Sequence, residues 1–363
     1  MHTHASNPAS DRRIESSATL RAYGWRPEDL PDPCPTGLEP ARILAYSRGL
    51  ALVQTESGEA WCSLTGRCRT ALHAENQQPC AGDWAMVQQQ VGRGQLHALL
   101  PRRTLLARQE SGPSGRAQPL AAQVDQVLIA LGLDRDYNPA RLERLLALAW
   151  ASGAAPLVLL TKADRVEEPE RWVHHTEAFA AGAPVLAVST VTGFGLETFR
   201  ERLPGRTSVL VGSSGVGKST LLNALMGTEA RATQAVRASD GRGRHTTALR
   251  ELFLLPGGGC LIDTPGLREV GLLAEADLGS AFSEVEVLAS GCRYRDCAHG
   301  AEPGCAVQAA LSEGLLDPAR YDSYLRLRRE RDYAAARSDE RLWREREQRW
   351  KGIAQQIRKL GKG

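Results

Sequence analysis

Residues 212–219 place glycine, lysine and serine at the spacing that phosphate binding needs. They read GSSGVGKS and fit the pattern G-x-x-x-x-G-K-S, between an apolar strand at 208–211 and an apolar-periodic helix. In such a loop, glycines let backbone N–H groups face the β-phosphate, lysine reaches the β- and γ-oxygens, and the serine hydroxyl ligates Mg²⁺. The sequence predicts a nucleoside phosphate site at Gly212, Ser213, Ser214, Gly215, Val216, Gly217, Lys218, Ser219 and Thr220, with Lys218 also catalytic.

A second motif, Asp263-Thr264-Pro265-Gly266, follows the phosphate loop along the chain. Asp263 ends an apolar stretch, where a carboxylate near Mg²⁺ is expected, and the Gly266 N–H can donate to the γ-phosphate.

The base is predicted to bind at Thr161-Lys162-Ala163-Asp164. The Asp164 carboxylate can accept hydrogen bonds from guanine N1–H and the exocyclic amine, whereas adenine offers an acceptor at N1, so the motif selects GTP over ATP. Lys162 is expected to lie along the base, and Thr161 replaces the commoner asparagine. Ser189 and Thr190 begin a weaker motif, Ser189-Thr190-x-Thr192-Gly193, that completes the base site.

These motifs occur in an unusual order, because the base-reading residues precede the phosphate loop instead of following it. The cyclic order of the GTPase motifs is retained, and only the starting point has moved. A domain whose natural ends lie close together tolerates such a cut. The sequence therefore predicts a circularly permuted GTPase domain in the motif order G4-G5-G1-G2-G3, with the old ends rejoined near 203–208.

The residue that positions the attacking water is not the usual one. Leu267 stands where many GTPases carry glutamine. His245 is the nearest polar candidate for this role, with loop ordering as its alternative role, and a hydroxyl of Thr246 or Thr247 is expected to cap Mg²⁺. The predicted magnesium set is Ser219, Thr246, Thr247 and Asp263.

Three thiols and one imidazole cluster near the C-terminus as Cys292-x4-Cys297-x-His299-x5-Cys305. Three cysteines with one histidine form a closed tetrahedral set, which favours one structural Zn²⁺ over a catalytic metal. Free thiols are the alternative. The other five cysteines are scattered, which does not favour a disulfide framework and suggests a reducing compartment.

Strand and helix patterns predict a multidomain α/β protein. Five short β-like runs in residues 39–106 indicate an OB-fold β-barrel, with an SH3-like barrel as the alternative. From residue 124 apolar strands alternate with helices, as in a doubly wound parallel sheet, and ELFLL-PGGG-CLID predicts an antiparallel hairpin at one edge. A nucleic-acid contact is favoured by arginines on or beside the barrel strands: Arg67, Arg69, Arg93, Arg102, Arg103 and Arg108.

The predicted boundaries are 1–38 for a disordered tail, 39–106 for an RNA-binding barrel, 107–282 for the permuted GTPase domain and 283–363 for a zinc-binding domain with basic C-terminal helices. Net charge is +3, but residues 320–363 hold 14 basic against 7 acidic residues, which suggests a polyanionic partner unless the segment is simply solvated. No signal peptide or membrane span is apparent, so a cytoplasmic protein is expected.

The motifs resemble the RsgA (YjeQ/EngC) family of circularly permuted GTPases over about residues 39–330. The resemblance is carried by GSSGVGKST, RGRHTT, DTPG and CRYRDCAHGAEPGCAV. It implies an N-terminal OB-fold, a permuted GTPase domain and a C-terminal zinc domain. It also implies a monomer that binds GTP or GDP with Mg²⁺ and acts late in maturation of the 30S ribosomal subunit, in contact with 16S rRNA. GTP hydrolysis would be stimulated by 30S, and association and release would depend on the nucleotide.

Two other classes of function remain open on the sequence. A P-loop ATPase or kinase would turn over ATP. An RNA-binding protein that holds nucleotide only as a structural ligand would hydrolyse little GTP even with ribosomal subunits present.

Overall fold

The structure is a computed structural model that describes residues 18–29, 35, 37–89, 94–109, 117–227, 250–264, 277–300 and 302–338. Within these residues no helix has the length and apolar character needed to cross a membrane. Four predicted site residues lie outside them: His245, Thr246, Thr247 and Gly266. The same holds for most of the predicted N-terminal tail and for residues 339–363.

The strands are β1 (Glu39–Ser47), β2 (Leu50–Thr55), β3 (Gly58–Leu64), β4 (Trp84–Gln88), β5 (Gly94–Leu99), β6 (Leu105–Gln109), β7 (Ala117–Ala122), β8 (Gln126–Gly132), β9 (Ala155–Thr161), β10 (Val185–Ala187), β11 (Thr207–Val211), β12 (Glu251–Leu254) and β13 (Cys260–Asp263). The helices are α1 (Ala18–Ala22), α2 (Gly66–Ala74), α3 (Pro139–Ala151), α4 (Pro169–Glu177), α5 (Leu196–Arg200), α6 (218–227), α7 (Leu278–Ala281), α8 (Ser283–Ala289), α9 (Ala306–Ser312) and α10 (Pro318–Ser338).

The predicted α/β sheet is confirmed, in the strand order β10-β9-β8-β11-β13-β12. The first five strands are parallel to their neighbours. Every residue of β8 and β11 is buried, which explains why these strands read as unbroken apolar runs. Because parallel strands end at the same edge, the loops after them meet there.

The hairpin is also confirmed, since β12 and β13 pair antiparallel from Glu251 opposite Asp263 to Leu254 opposite Cys260. Its predicted position at an edge is wrong. Strand β1 pairs antiparallel with β12 at Ala45 and Glu251, so the sheet continues into the barrel strands. This pairing satisfies backbone groups that an exposed edge strand would leave open.

The five-stranded barrel is closed and OB-like, as predicted. Strand β1 pairs with β2 and β4, β3 pairs with β2 and runs parallel to β5, and β4 pairs with β5. Helix α2 lies between β3 and β4 in the chain, and its first turn is capped by the Thr65 hydroxyl, which accepts from the Cys68 N–H. Arg102 donates two hydrogen bonds of 2.7 Å to buried Asp83, so this guanidinium stabilises the barrel itself.

A buried arginine joins the barrel to the strand that leads into the phosphate loop. Arg42 of β1 donates to the Thr207 hydroxyl over 3.1 Å and to the Gln123 carbonyl over 3.3 Å, and its guanidinium lies 4.9 Å from the ring centre of Trp84. Burial lowers the pKa of Arg42 to about 10. Because Thr207 begins β11, the barrel side chain contacts the base of the nucleotide-binding strand.

The chain divides into two compact units. One comprises Met1–Leu106 with Pro119–Glu269 and therefore holds both the barrel and the nucleotide sheet; the other comprises Ala107–Gln118 with Val270–Gly363. In the second unit Arg320 of α10 donates to Glu284 and to the Ala281 carbonyl, each over 2.6 Å, and lies over the ring of Phe282. These contacts join α10 to α7 and α8.

Candidate nucleotide site and candidate metal centre

The predicted nucleotide-binding residues come from distant parts of the sequence and meet at the carboxyl edge of the parallel strands. Thr161 ends β9, Ser189 follows β10, the loop 212–217 follows β11, and Asp263 ends β13. This edge is where open α/β sheets bind their ligands.

The phosphate loop has the backbone conformation that glycine permits. Gly212 has φ +149°, and a Cβ at this position would lie 2.6 Å from the Ala130 carbonyl oxygen. A side chain at 212 would therefore push β8 and β11 apart. Helix α6 begins at Lys218, and the Lys218 Nζ donates to the carbonyls of Gly212 and Ser213 over 2.7 and 2.5 Å. The lysine thus closes over its own loop.

A cavity beside this loop is suited to phosphate and Mg²⁺. It is lined by Ser214, Gly215, Gly217, Lys218, Ser219, Thr220, Asp263 and Thr264. Burial lowers the pKa of Lys218 and raises that of Asp263, and the attraction between the two charges opposes both shifts. The Asp263 Oδ1 is buried and has no hydrogen-bond partner among the described residues. A buried carboxylate oxygen without a protein partner, in a cavity that Ser219 also lines, fits a hard cation that prefers oxygen ligands.

A second cavity holds the predicted base-reading residues. It is lined by Thr161, Lys162, Asp164, Arg165, Val188, Thr190, Val191, Gly215, Gly217, Thr220 and Leu221. Gly215, Gly217 and Thr220 line both cavities, so the base and phosphate regions adjoin along the phosphate loop. Ala163 is buried, and its N–H donates to the Val188 carbonyl, which joins the two base-reading segments.

Ser189 orients the carboxylate of Asp164. The Ser189 hydroxyl is buried, donates to the Asp164 Oδ1 over 2.6 Å, and accepts from the N–H groups of Val191 and Thr192. The weaker motif therefore contributes a residue that holds the base-reading carboxylate.

Thr161 links the base-reading segment to the phosphate loop. The Thr161 Oγ1 lies 2.6 Å from the Val216 carbonyl oxygen and donates to it, with the Leu131 carbonyl farther away at 3.2 Å. The residue is buried, so the hydroxyl needs this partner. The hydroxyl thus fixes the separation between the two halves of the site.

We expect Thr161→Val to weaken GDP affinity by about 5- to 10-fold, because removing the hydroxyl leaves the Val216 carbonyl without its donor, at a cost of about 1 kcal/mol. Titration calorimetry of the nucleotide-free protein measures the change. Thr161→Ser keeps the hydroxyl and is the matched control. Equal affinity of the valine and serine variants would contradict the linking role.

Two acidic residues near the site were missed from the sequence. Asp134 accepts a 2.6 Å hydrogen bond from the Lys162 Nζ, and Asp136 accepts one from the Ser213 hydroxyl. Both follow β8, whose carboxyl end lies between those of β9 and β11. A search for polar residues after every parallel strand would have found them, because all such residues share one edge.

The cysteine–histidine cluster has the dimensions of a zinc site. The ligand atoms of Cys292, Cys297, His299 and Cys305 all lie within 4.8 Å of one another. The His299 Nδ1 is 3.5 Å from the Cys292 sulfur and 3.6 Å from the Cys305 sulfur, and those two sulfurs are 3.9 Å apart. A tetrahedron with ordinary Zn–S and Zn–N bonds has edges of about 3.8 Å between sulfurs and about 3.6 Å between sulfur and nitrogen. The residues therefore fit Zn²⁺.

The backbone around His299 is held by neighbouring side chains. His299 has φ +60°, a left-handed conformation that is uncommon for residues other than glycine. Its carbonyl accepts from the Gln308 Nε2 over 2.6 Å and from the Tyr321 hydroxyl over 2.9 Å. These bonds fix the loop so that the imidazole points at the thiols, as partners outside a metal's ligand set commonly do.

Comparison with known proteins identifies the family. A family model described as RsgA GTPase matches residues 99–273. The small ribosomal subunit biogenesis GTPase RsgA of Streptomyces avermitilis is 44% identical over 346 residues, covering 93% of this chain and 92% of the relative. The protein of the same name from Leptospira interrogans is 38% identical over 353 residues, covering 95% and 97%.

Solved structures agree with this assignment. YjeQ from Thermotoga maritima matches with a TM-score of 0.59 and 26% identity, covering 80% of this chain and 97% of that one. YloQ, described as a circularly permuted GTPase, matches with a TM-score of 0.59 and 25% identity, covering 82% and 96%. The permuted motif order, the adjoining base and phosphate cavities and these relatives together show that this chain belongs to the RsgA family of circularly permuted GTPases and is a GTP-hydrolysing enzyme.

Proposed function

We propose that this GTPase acts in late maturation of the 30S ribosomal subunit, that 30S binding stimulates its hydrolysis, and that the bound nucleotide sets association and release. The observation that carries the proposal is the pair of adjoining cavities, one suited to guanine and one to phosphates and Mg²⁺. The curated relatives, named as small ribosomal subunit biogenesis GTPases, supply the biological setting.

In the proposed mechanism Asp164 accepts from guanine N1–H and the exocyclic amine, with Ser189 holding its carboxylate and Lys162 lying along the base. Gly212, Ser213, Ser214, Gly215, Val216, Gly217 and Thr220 supply the backbone of the phosphate loop. Lys218 turns from the loop carbonyls to the β- and γ-oxygens and stabilises the charge that develops during transfer. Ser219 and Asp263 are the described residues that would hold Mg²⁺, which neutralises phosphate charge when bound.

Further roles are proposed for residues outside the described ranges. His245 positions the attacking water, because Leu267 has no group that could do so, and a hydroxyl of Thr246 or Thr247 completes the magnesium shell. Gly266 donates its N–H to the γ-phosphate. At the metal centre, Cys292, Cys297, His299 and Cys305 would hold one Zn²⁺ that stabilises the loop and leaves no open position for catalysis.

The proposed partner is the 30S particle with its 16S rRNA, bound by a monomer in the cytoplasm. Polyanion binding is supported by exposed cationic and aromatic side chains on the zinc loop, where Arg293 lies over the ring of Tyr294 and Arg295 follows. On the barrel, Trp61 of β3 is 54% exposed, which suits stacking on an unpaired base.

The proposal is tested by steady-state hydrolysis of GTP and ATP with no subunit, with 30S and with 50S as the control. We expect turnover of GTP but not ATP, raised about 10-fold or more by 30S alone, because positioning of water and charge in the transition state contributes factors of this size or larger. His245→Ala should remove most of the stimulated rate. GTP turnover indifferent to 30S would refute the ribosomal role while leaving the GTPase assignment intact.

A further inference from the structure

The turn after β8 contacts both halves of the nucleotide site through side chains that lie outside the predicted motifs. Leu133 donates its N–H to the Thr161 carbonyl over 2.9 Å, which holds the end of β8 beside the base-reading segment. Asp134 then accepts from the Lys162 Nζ over 2.6 Å, and Asp136 accepts from the Ser213 hydroxyl. One short segment thus contacts the lysine beside the base and a residue of the phosphate loop.

The turn holds its own shape. The Asp134 Oδ1 accepts from the Asp136 N–H over 3.0 Å. A Cβ at Gly132 would come within 2.7 Å of the same Oδ1, so only glycine lets the carboxylate fold back this closely. Arg141 of α3 donates to the Asp136 Oδ1 over 2.6 Å, which leaves the Asp136 Oδ2 to accept from Ser213.

Contacts with α4 secure the far side of the turn. The Tyr137 hydroxyl lies 3.0 Å from the Thr176 Oγ1, and its ring meets Trp172 edge-on with centres 5.0 Å apart. The two carboxylates are therefore presented from a segment that is fixed to β9 on one side and α4 on the other.

Lys162 needs such a partner. Its backbone has φ +59°, a left-handed conformation unusual for lysine, and its side chain is about one-third exposed. A free lysine side chain populates many rotamers, and fixing one costs entropy on each binding event. The hydrogen bond to Lys162 lowers the pKa of Asp134, as expected for a carboxylate that stays charged beside an ammonium group.

We propose that Asp134 and Asp136 are positioning residues for nucleotide binding: Asp134 holds the Lys162 side chain along the base pocket, and Asp136 holds Ser213 and thereby the first turn of the phosphate loop. Neither carboxylate lines the two cavities, so each acts through its partner. This inference rests on the proposed nucleotide site and adds to it two residues that fix it before nucleotide arrives.

The test is a pair of double-mutant cycles on the full chain, with GDP and ADP as the probes and calorimetry as the readout. The first cycle combines Asp134→Asn with Lys162→Met, which removes the ammonium group but keeps the aliphatic chain. The second combines Asp136→Asn with Ser213→Ala, which keeps the backbone N–H of the loop. Glu177→Gln, which alters a surface pair of α4 with His174, is the matched control.

We expect each aspartate variant to weaken GDP binding by about 10-fold in the wild-type background and by less than about 2-fold when its partner is already substituted, because coupled neighbours show non-additive effects of this size. A merely structural role would lower affinity equally in both backgrounds, and that result would overturn the proposal. Asp134→Glu, which keeps the charge but moves it, should give a smaller loss and provides a second variant if asparagine impairs folding. Wild-type protein that binds ADP as well as GDP would instead refute the base site itself.

Discussion

Asp164→Asn is expected to shift the preference of the enzyme from GTP to XTP by on the order of 10⁴-fold in the ratio of kcat/KM values. The carboxylate accepts from two guanine N–H groups, and an amide can accept only one of those hydrogen bonds. Xanthine carries a carbonyl where guanine carries its amine, so the amide N–H₂ then gains a partner. Ser189 can still donate to the remaining oxygen at position 164, so the side chain should keep its orientation.

Hydrolysis of GTP, XTP and ATP measured side by side decides this prediction. Glu168→Gln is the control, because its carboxylate lies in an exposed pair with Arg171 and lines neither cavity. A variant that loses GTP and XTP activity together would show that Asp164 stabilises the fold and does not read the base. Improved ATP turnover would favour a nucleotide site of a different class.

Cys305→Ser is expected to release the metal and unfold the segment around residues 292–305. In zinc-binding peptides the metal supplies about 10 kcal/mol or more of folding free energy, and three ligands cannot close a tetrahedral site. The segment contains several turn-forming residues and few apolar ones, so little else would hold it. Zinc affinity should fall by more than about 100-fold, which is the upper end of the loss known for residues that merely support ligands.

Metal content by atomic absorption, together with limited proteolysis of the same samples, tests this expectation. Cys68→Ser is the matched control, because Cys68 is a buried cysteine of α2 outside the cluster, and it should retain one metal per chain. GDP affinity should survive in Cys305→Ser, since no residue lining either nucleotide cavity belongs to the cluster. A serine variant that keeps full zinc content and full resistance to protease would exclude Cys305 as a ligand.

The sequence predicted the parts of this molecule that depend on local pattern. The phosphate loop is recognisable because its glycines, lysine and serine occur at fixed spacing between a buried strand and a helix. The six strands of the sheet are recognisable because strands buried on both faces must be apolar throughout, as β8 and β11 are. The zinc ligands are recognisable because thiols and imidazole at short spacing have few other uses.

The parts that depend on distant pairing were not predicted. Nothing in the local sequence of β1 or β12 shows that Ala45 lies opposite Glu251, because a strand edge can pair with any compatible edge. Asp134 and Asp136 were overlooked because surface turns after strands commonly contain aspartate. Their contacts with Lys162 and Ser213 become visible only when the order of β9, β8 and β11 across the sheet is known.

The permuted order also determines when the nucleotide site can form during protein synthesis. The chain leaves the ribosome from its N-terminus, so β8, β9 and β10 with Asp164 and Ser189 are made before β11, Lys218 and Asp263. Strand β8 must wait for its neighbour β11, and β12 completes its pairing with the much earlier β1. In a GTPase of ordinary order the phosphate loop comes first and the base-reading strand last. Here guanine recognition is synthesised first, and nucleotide can stabilise the nascent domain only after the phosphate loop has emerged.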